Sequence, residues 1–525
     1  RMHASSAALA RCVEERRLVY GVTTGFGPLA RHHVDPAHAA TLQRNLLYHL
    51  ASGVGRPLAV AHARALMAAR AASLARGYSG VGDAVHGLLV ACLNRGVVPV
   101  VPEQGTVGAS GDLTPLAHVA LVLVGEGAAW VAPANDGSGH AADDARGAPL
   151  PGADALAAAG LTPVTLGHKE ALALVNGTSA MTGIAAVNAE RTRRAATLMA
   201  RLAVLHAETM GGHLEAWDAR FAVARPHAGQ RAAHAALLAL ADGSARLTPA
   251  VQPPPPLGAV GPDGVHSAPE PPQDPYTIRC VPQELGAILD VLAFHDGVVE
   301  TELNSATDNP LVFTGDDAAD AEGDWAVLHG GNFYGQHVAF ASDALATAVT
   351  KLAAWSERAL ARLTNPAYNR GLPAFLHGGA PGLHSGFMGA QVTASALVAE
   401  MRTLAVPASI QTIPTNNDNQ DVVTMGTIAA RKASTLLDHA WRVLAIQALA
   451  LAQGAERRAG AIGADDAALA RAGFSPASRA LVAAVRGIAP PLHVDRSLSA
   501  EIMTAAVALE AHALVEVLPG AVTAA

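Results

Sequence analysis

Ala195-Ala-Thr-Leu-Met-Ala-Arg-Leu-Ala-Val-Leu-His206 is the kind of stretch that decides the fold class of this chain. It has no glycine, no proline and no apolar–polar alternation, and it is built from alanine, leucine and methionine, which favour helix. It lies inside a longer run, Glu170 to Ala241, that keeps this Ala/Leu pattern with Arg and His along one side. Helices of that length pack together, within a chain or across subunits. Working outward, Val60-Ala-His-Ala-Arg-Ala-Leu66 opens a helical region over 60–100. Residues 1–60 read as helix-like pieces around a Gly/Thr-rich turn, Tyr20 to Gly27, and helix pattern resumes near Val281 and continues in pieces. The expected fold is mainly α: a long central helix bundle, 176–525, with a smaller N-terminal α-rich region, 1–175. Three breaks interrupt it. Ala132 to Pro151 is polar and Gly-rich, a surface hairpin or loop. Gly315 to Asp324 is a polar insert. Pro253 opens a Pro/Gly-rich segment without periodicity; long structureless loops in compact domains are usually lids or disordered segments, and the stretch 253–280 reads as a lid.

The chain has 525 residues, of which 50% are hydrophobic and 15% charged, a balance that excludes general disorder. The net charge is 36 − 44 = −8. The only lysines are Lys169, Lys351 and Lys432, and no dense basic run exists, so a nucleic-acid partner is not expected. Cys12, Cys92 and Cys280 are scattered without a CxxC pair, which fits a reducing cytoplasm rather than a disulfide framework or zinc knuckle. Trp441 to Ala455 is the most apolar candidate span. It is shorter than the roughly 18 residues a span needs and carries Arg442, so it reads as a buried helix, with no membrane partner. Arg1-Met2-His3 shows no leader pattern.

The chemistry concentrates in Gly105-Thr-Val-Gly-Ala109-Ser110-Gly111-Asp112-Leu113-Thr-Pro-Leu116. In a tight turn the Gly111 amide nitrogen can attack the Ala109 carbonyl carbon. Loss of two waters, one taking the Ser110 hydroxyl, leaves a five-membered 4-methylidene-imidazol-5-one ring. Glycine is needed because only a bare Cα lets the backbone fold back so far. The product is an electrophile made from the chain itself, which supplies cofactor chemistry with no external cofactor. The tripeptide alone is weak: a second copy, Ala51-Ser52-Gly53, sits in a helix-like apolar run and reads as inert.

Other segments give the loop its context. Tyr20-Gly-Val-Thr-Thr-Gly-Phe-Gly27, the 105–116 loop, Asn176-Gly-Thr-Ser179, Tyr276-Thr-Ile-Arg279 with Gln283, Glu302-Leu-Asn304 through Asp308-Asn-Pro310, and Asn416 through Asp421 occur in this order. Together they resemble the aromatic amino acid ammonia-lyase family: histidine, phenylalanine and tyrosine ammonia-lyases and the related aminomutases. The resemblance implies an ammonia-lyase/fumarase-like helical architecture and a homotetramer with sites shared between subunits.

The resemblance also assigns roles. Tyr20 matches the family's base; a free tyrosine has a pKa of about 10, so its surroundings must activate it. Asn176 matches the amide that holds the electrophile or the substrate amine, although Asn-Gly alone is a turn signal. Arg279 matches the carboxylate anchor, for which a planar bidentate fork suits better than an ammonium. Tyr276 then rides a lid that closes on substrate. Gln283 and Phe333 match site-lining positions, and Phe333 can equally be core packing. Gly27, Leu113, Asn416 and Asn419 complete the substrate-facing set. No metal ligand is implied. The electrophile takes the substrate amine, or, in an alternative scheme, the aromatic ring; the sequence does not choose.

Two positions bear on the substrate. His49-Leu50 resembles the tyrosine-selective lyases, where phenylalanine-selective members resemble Phe-Leu and histidine-selective ones Ser-His. An imidazole can hydrogen-bond a para-hydroxyl, whereas Phe offers an apolar wall. Gln420 stands where histidine lyases resemble Glu, so a cationic ring loses its carboxylate partner. The expected reaction is therefore elimination of ammonia from L-tyrosine to trans-p-coumarate. A tyrosine aminomutase is the alternative, because Gln411-Thr-Ile-Pro414 resembles mutases; phenylalanine or histidine lyase activity also stays open. A non-catalytic helical scaffold is the alternative of another class, and it should have lost Tyr20, Ser110 or Arg279, all of which are present. The Gly-Ser-Ser-x-Met-Pro-x-Lys loop of fumarase-like lyases is absent; Ser385-Gly-Phe-Met-Gly389 does not match it.

Overall fold

The computed structural model describes every residue except 132–146, 251–252, 254–257, 259, 267–270, 320, 322–323 and 512–525. The loop expected over 132–151, the insert over 315–324 and the lid over 253–280 thus lie partly outside the described residues. The chain is mainly helical, as its Ala/Leu patterning predicts. The longest helices are Ser179–Met210, Val281–Leu303, Gln336–Thr364 and Gly426–Arg458. Trp441 and the alanines and leucines after it are buried inside Gly426–Arg458, and no described helix is long and apolar enough to cross a membrane.

Two compact units form, and neither is a single stretch of chain. The first collects residues 1–189, 295–344 and 407–434, and the second 190–294, 345–406 and 435–525. The sequence division at 175/176 does not follow these contacts, because motif segments far apart along the chain gather in the first unit.

Within the first unit the helical expectation over 60–100 resolves into Val60–Ala75 and Asp83–Asn94. Helix Leu113–Leu123 is apolar apart from Thr114 and His118 and is buried along almost its whole length, as such a pattern requires. It packs on Ala39–Leu50 and on the short buried helix Glu170–Val175. Leu46, Leu47, Leu66, Met67, Leu89, Leu116 and Leu172 fill the core between them. Small antiparallel ladders trim the unit. Val54–Pro57 pairs with Pro102–Gln104, Ala128–Val131 pairs with both Val97–Pro99 and Leu150–Pro151, and Leu311–Thr314 pairs with Trp325–Leu328. The second tripeptide copy, Ala51-Ser52-Gly53, merely ends helix Ala39–Leu50 and leads into a strand.

The second unit holds Ala228–Ala241, Met388–Leu404 and Pro476–Ile488. Ser475 caps Pro476–Ile488 by accepting from the Ser478 amide, with proline at the first helical position. Fully buried Trp217 donates its indole N–H to the Ile278 carbonyl (2.9 Å), and Trp355 donates to that of Thr277 (3.1 Å). Both anchor the helical turn Tyr276–Arg279, so these residues sit on a fixed turn rather than in open loop.

Candidate active site

The 105–112 loop is braced from inside and from outside. Thr106 Oγ1 donates to the Gly111 carbonyl (3.2 Å) and accepts from the Gly108 amide (3.1 Å). The Met425 amide donates to the Val107 carbonyl (2.9 Å), and Thr424 Oγ1 donates to that of Gly108 (3.1 Å). Ala109 is buried against Ala408, Val423, Met425 and Ala429. Gly111 has φ +72°, and a Cβ there would lie 2.2 Å from the Gly177 carbonyl oxygen. Only glycine permits this approach, and the Asp112 amide then donates to that same oxygen at 2.8 Å.

Ser110 is addressed from two sides. Asn176 Nδ2 donates to its main-chain carbonyl (3.0 Å), and Gln420 Nε2 donates to its hydroxyl oxygen (3.0 Å). Thr415 Oγ1 donates to Gln420 Oε1 (2.8 Å), which sets the orientation of that amide. Asn176 is almost fully buried, and its Oδ1 has no hydrogen-bond partner among the described residues. An unpaired buried acceptor costs about 1–3 kcal/mol, and an incoming N–H would relieve it. Asp112 opens helix Leu113–Leu123 fully buried, accepting from the Met181 amide (2.8 Å) and from the Thr427 hydroxyl. Burial pushes its carboxyl up to about 6, against the pull of those hydrogen bonds.

Tyr20 lies in the same unit. The Gly27 amide donates to its phenol oxygen (2.8 Å), and its ring meets Phe26 edge-on at 6.3 Å. The Asn416 amide reaches the bare side of Gly27. Asn416 and Gln420 belong to one tight turn in which Asn416, Asn417 and Asp418 all have positive φ, and Asn419 caps it by donating its amide to the Asn416 carbonyl (3.2 Å). One turn therefore touches both the tyrosine segment and the serine loop. Leu113 and Leu50 are half-buried against the core beneath. His49 occupies the last turn of Ala39–Leu50. It is exposed yet partly desolvated, which lowers its pKa. Phe333 is half-buried just before helix Gln336–Thr364.

Tyr276, Arg279 and Gln283 belong to the second unit. The Arg279 guanidinium stacks 4.8 Å over the Tyr276 ring and donates to Gln273 Oε1, while Tyr276 is 70% exposed. Gln283 Oε1 is buried without a partner among the described residues.

Sequence reasoning missed Asp112, Thr415, Thr424 and Thr427 as supports of the loop. Only Asp112 carried a signal, its place directly after the tripeptide. No group of acidic, histidine or cysteine side chains among the described residues could hold a metal ion.

Known proteins resemble this chain over nearly all of its length. It is 50% identical over 502 residues to the tyrosine ammonia-lyase of Cereibacter sphaeroides, covering 96% of this chain and 90% of that protein. It is 42% identical over 498 residues to the histidine ammonia-lyase of Gloeobacter violaceus, covering 95% and 87%. The crystal structure of tyrosine aminomutase from Streptomyces globisporus superposes with a TM-score of 0.85 at 37% identity, covering 97% and 91%. The aromatic amino acid lyase family matches residues 1–487. A chain that carries the bent glycine loop on this fold, with such relatives, belongs to the aromatic amino acid lyase family and is a carbon–nitrogen lyase.

Proposed function

We propose that the enzyme eliminates ammonia from L-tyrosine to give trans-p-coumarate, with a 4-methylidene-imidazol-5-one formed from Ala109, Ser110 and Gly111. The observation that carries this reading is the clamp on Ser110, whose carbonyl and hydroxyl oxygens each accept from a side-chain amide while Gly111 bends against Gly177. The residues present fit the ring: a bare Cα sits at the bend, and two donors face the oxygens around the reacting residue. When formed, the ring supplies an electrophilic carbon, for which no ordinary side chain substitutes.

The chain's own groups do the rest. Tyr20 removes the β-proton, and the Gly27 amide holds its oxygen in place. Asn176 Oδ1 accepts an N–H of the substrate amine, which completes its hydrogen bonding. Arg279, with Tyr276 and Gln283, binds the carboxylate end in a homotetramer that shares sites between subunits. His49, its pKa lowered by desolvation, is a neutral imidazole that hydrogen-bonds the substrate phenol. Gln420, beside Ser110, offers a neutral amide, so a cationic imidazole substrate finds no carboxylate there. Leu50, Leu113, Phe333, Asn416 and Asn419 line the remainder. The enzyme acts in the cytoplasm.

Separate incubations with tyrosine, phenylalanine and histidine, read by absorbance and chromatography, test this reading. Coumarate with little β-tyrosine supports it; urocanate, or cinnamate made faster than coumarate, refutes the substrate assignment. The second reading, tyrosine 2,3-aminomutase, is favoured by Gln411-Thr-Ile-Pro414 and by the resemblance to the Streptomyces aminomutase, and it predicts β-tyrosine as the main product.

A further inference from the structure

We infer that Arg70 is a positioning residue for Asn176 and, through Asn176, for the Ala109–Gly111 loop. The inference rests on the reading of that loop as the ring precursor. Arg70 lies in helix Val60–Ala75 and is 1% exposed. Its Nη1 donates to the Asn176 main-chain carbonyl, and its Nη2 donates to Ser73 Oγ (2.7 Å) and Thr307 Oγ1 (3.4 Å). Among the described residues no carboxylate contacts it directly: its hydrogen bonds all go to neutral oxygens, while Asp308 and Asp112 attract the sealed cation from farther off. An apolar side chain of similar volume would fill this space without the desolvation penalty. What an apolar residue lacks is the planar fork, which fixes the directions of its acceptors.

The geometry shows what the fork fixes. A Cβ on Gly177 would lie 2.4 Å from Arg70 Nη1, so the 176–177 peptide meets the guanidinium edge-on only because that atom is missing. On its other side the same segment meets the loop. Gly177 O accepts from the Asp112 amide at 2.8 Å, and Asn176 Nδ2 donates to Ser110 O at 3.0 Å. Arg70 is therefore the backstop of a short stack: guanidinium, Asn176–Gly177, Ser110–Asp112. Thr307 ties the stack to the neighbouring buried pair Lys169–Asp308, since Asp308 follows it in the chain.

Ring closure needs that stack held still. The Gly111 nitrogen bonds to the Ala109 carbonyl carbon, and the Ala109 oxygen leaves as water with the amide hydrogens of Gly111 and Ser110. The Ser110 hydroxyl leaves as a second water with the Ser110 Cα hydrogen. Arg70 touches none of these atoms; it sets where Asn176 presents its amide to them.

The test uses the full chain and two variants. Arg70→Lys keeps the charge and loses the fork, and Thr307→Val removes, at constant shape, an acceptor that serves both Arg70 and the Thr178 amide. Intact mass reads the deficit of two waters, thermal melting reads folding, and steady-state kinetics separate kcat from KM. Wild type is expected to lack two waters. Folded Arg70→Lys is expected to retain undehydrated chain, with kcat lower by about a hundredfold and KM changed far less, the scale that a displacement near 1 Å produces. Thr307→Val should move in the same direction by less. A complete deficit with wild-type kcat in Arg70→Lys overturns the inference, whatever its melting temperature. Should Arg70→Lys fail to melt cooperatively, the same result in Thr307→Val overturns it. An undehydrated wild type overturns the ring reading itself.

Discussion

Removing the counter-charge of Lys169 should damage this protein more than removing the whole ion pair. Lys169 Nζ lies 2.5 Å from Asp308 Oδ2 and 3.0 Å from the Ser79 carbonyl, and both side chains are 0% exposed. Asp308→Asn leaves an ammonium in a place without water. Breaking a buried pair in this way costs about 3–5 kcal/mol. The ammonium has one escape, loss of its proton, and burial already pushes its pKa down against the attraction of Asp308. That route caps the penalty, so the lower end, about 3 kcal/mol, is the expected value. It is a large share of a total stability of about 5–15 kcal/mol. The double variant Lys169→Met/Asp308→Leu restores apolar contact and should be clearly more stable than Asp308→Asn, because isosteric apolar replacement of buried pairs is often neutral or stabilising. Urea unfolding followed by circular dichroism gives the three midpoints. Asp308→Asn unfolding within about 1 kcal/mol of wild type, the range of an exposed pair, would refute the reasoning, because the site would then be hydrated. The consequence reaches the active site as well. Lys169 adopts a left-handed conformation (φ +66°) where the short helix Glu170–Val175 begins, and Asn176 directly follows that helix.

Other expectations follow from the same geometry. Tyr20→Phe should keep the two-water mass deficit yet lose turnover, and normal turnover would remove Tyr20 as the base. His49→Phe should shift kcat/KM from tyrosine toward phenylalanine by about 10–200-fold, the worth of one pocket contact; an unchanged ratio would make His49 structural. His206 is fully buried, and desolvation lowers its imidazole from 6.5 to about 3. Its folded pKa is depressed, so its contribution to stability is complete above pH 6.5 and is lost as pH falls toward 3. His206→Leu should accordingly flatten the acid limb of a stability–pH curve, and an unaltered limb would show that His206 is hydrated.

The helices were legible because alanine and leucine declare them over many turns. The small ladders were not, since Val97–Pro99 is too short for a period to register. The serine loop was legible from its glycines and from the motifs that accompany it. Among its supports Asn176 was legible from its motif, and the others were hidden for two reasons. Gln420 reaches the Ser110 hydroxyl across 310 residues of chain, which no local pattern encodes. Arg70 sits in a helix rich in Ala and Arg, where the ordinary reading of an arginine is a solvated face. Lys169 did leave a trace: it is one of three lysines in a chain whose other cations are arginines, and it proves to be fully buried.

The clamp on Ser110 also sets a clock. Its parts come from residues 106, 176, 415, 420 and 424, so they do not coexist while the ribosome is still working through the middle of the message. A nascent chain arrested before Gln420 has Ser110 and Gly111 but lacks the turn that holds the hydroxyl. On the proposed reading, ring formation at Ala109–Gly111 therefore waits until the Gln420 turn has been made and folded, and a chain stopped before that turn carries no electrophile to present to cellular thiols and amines.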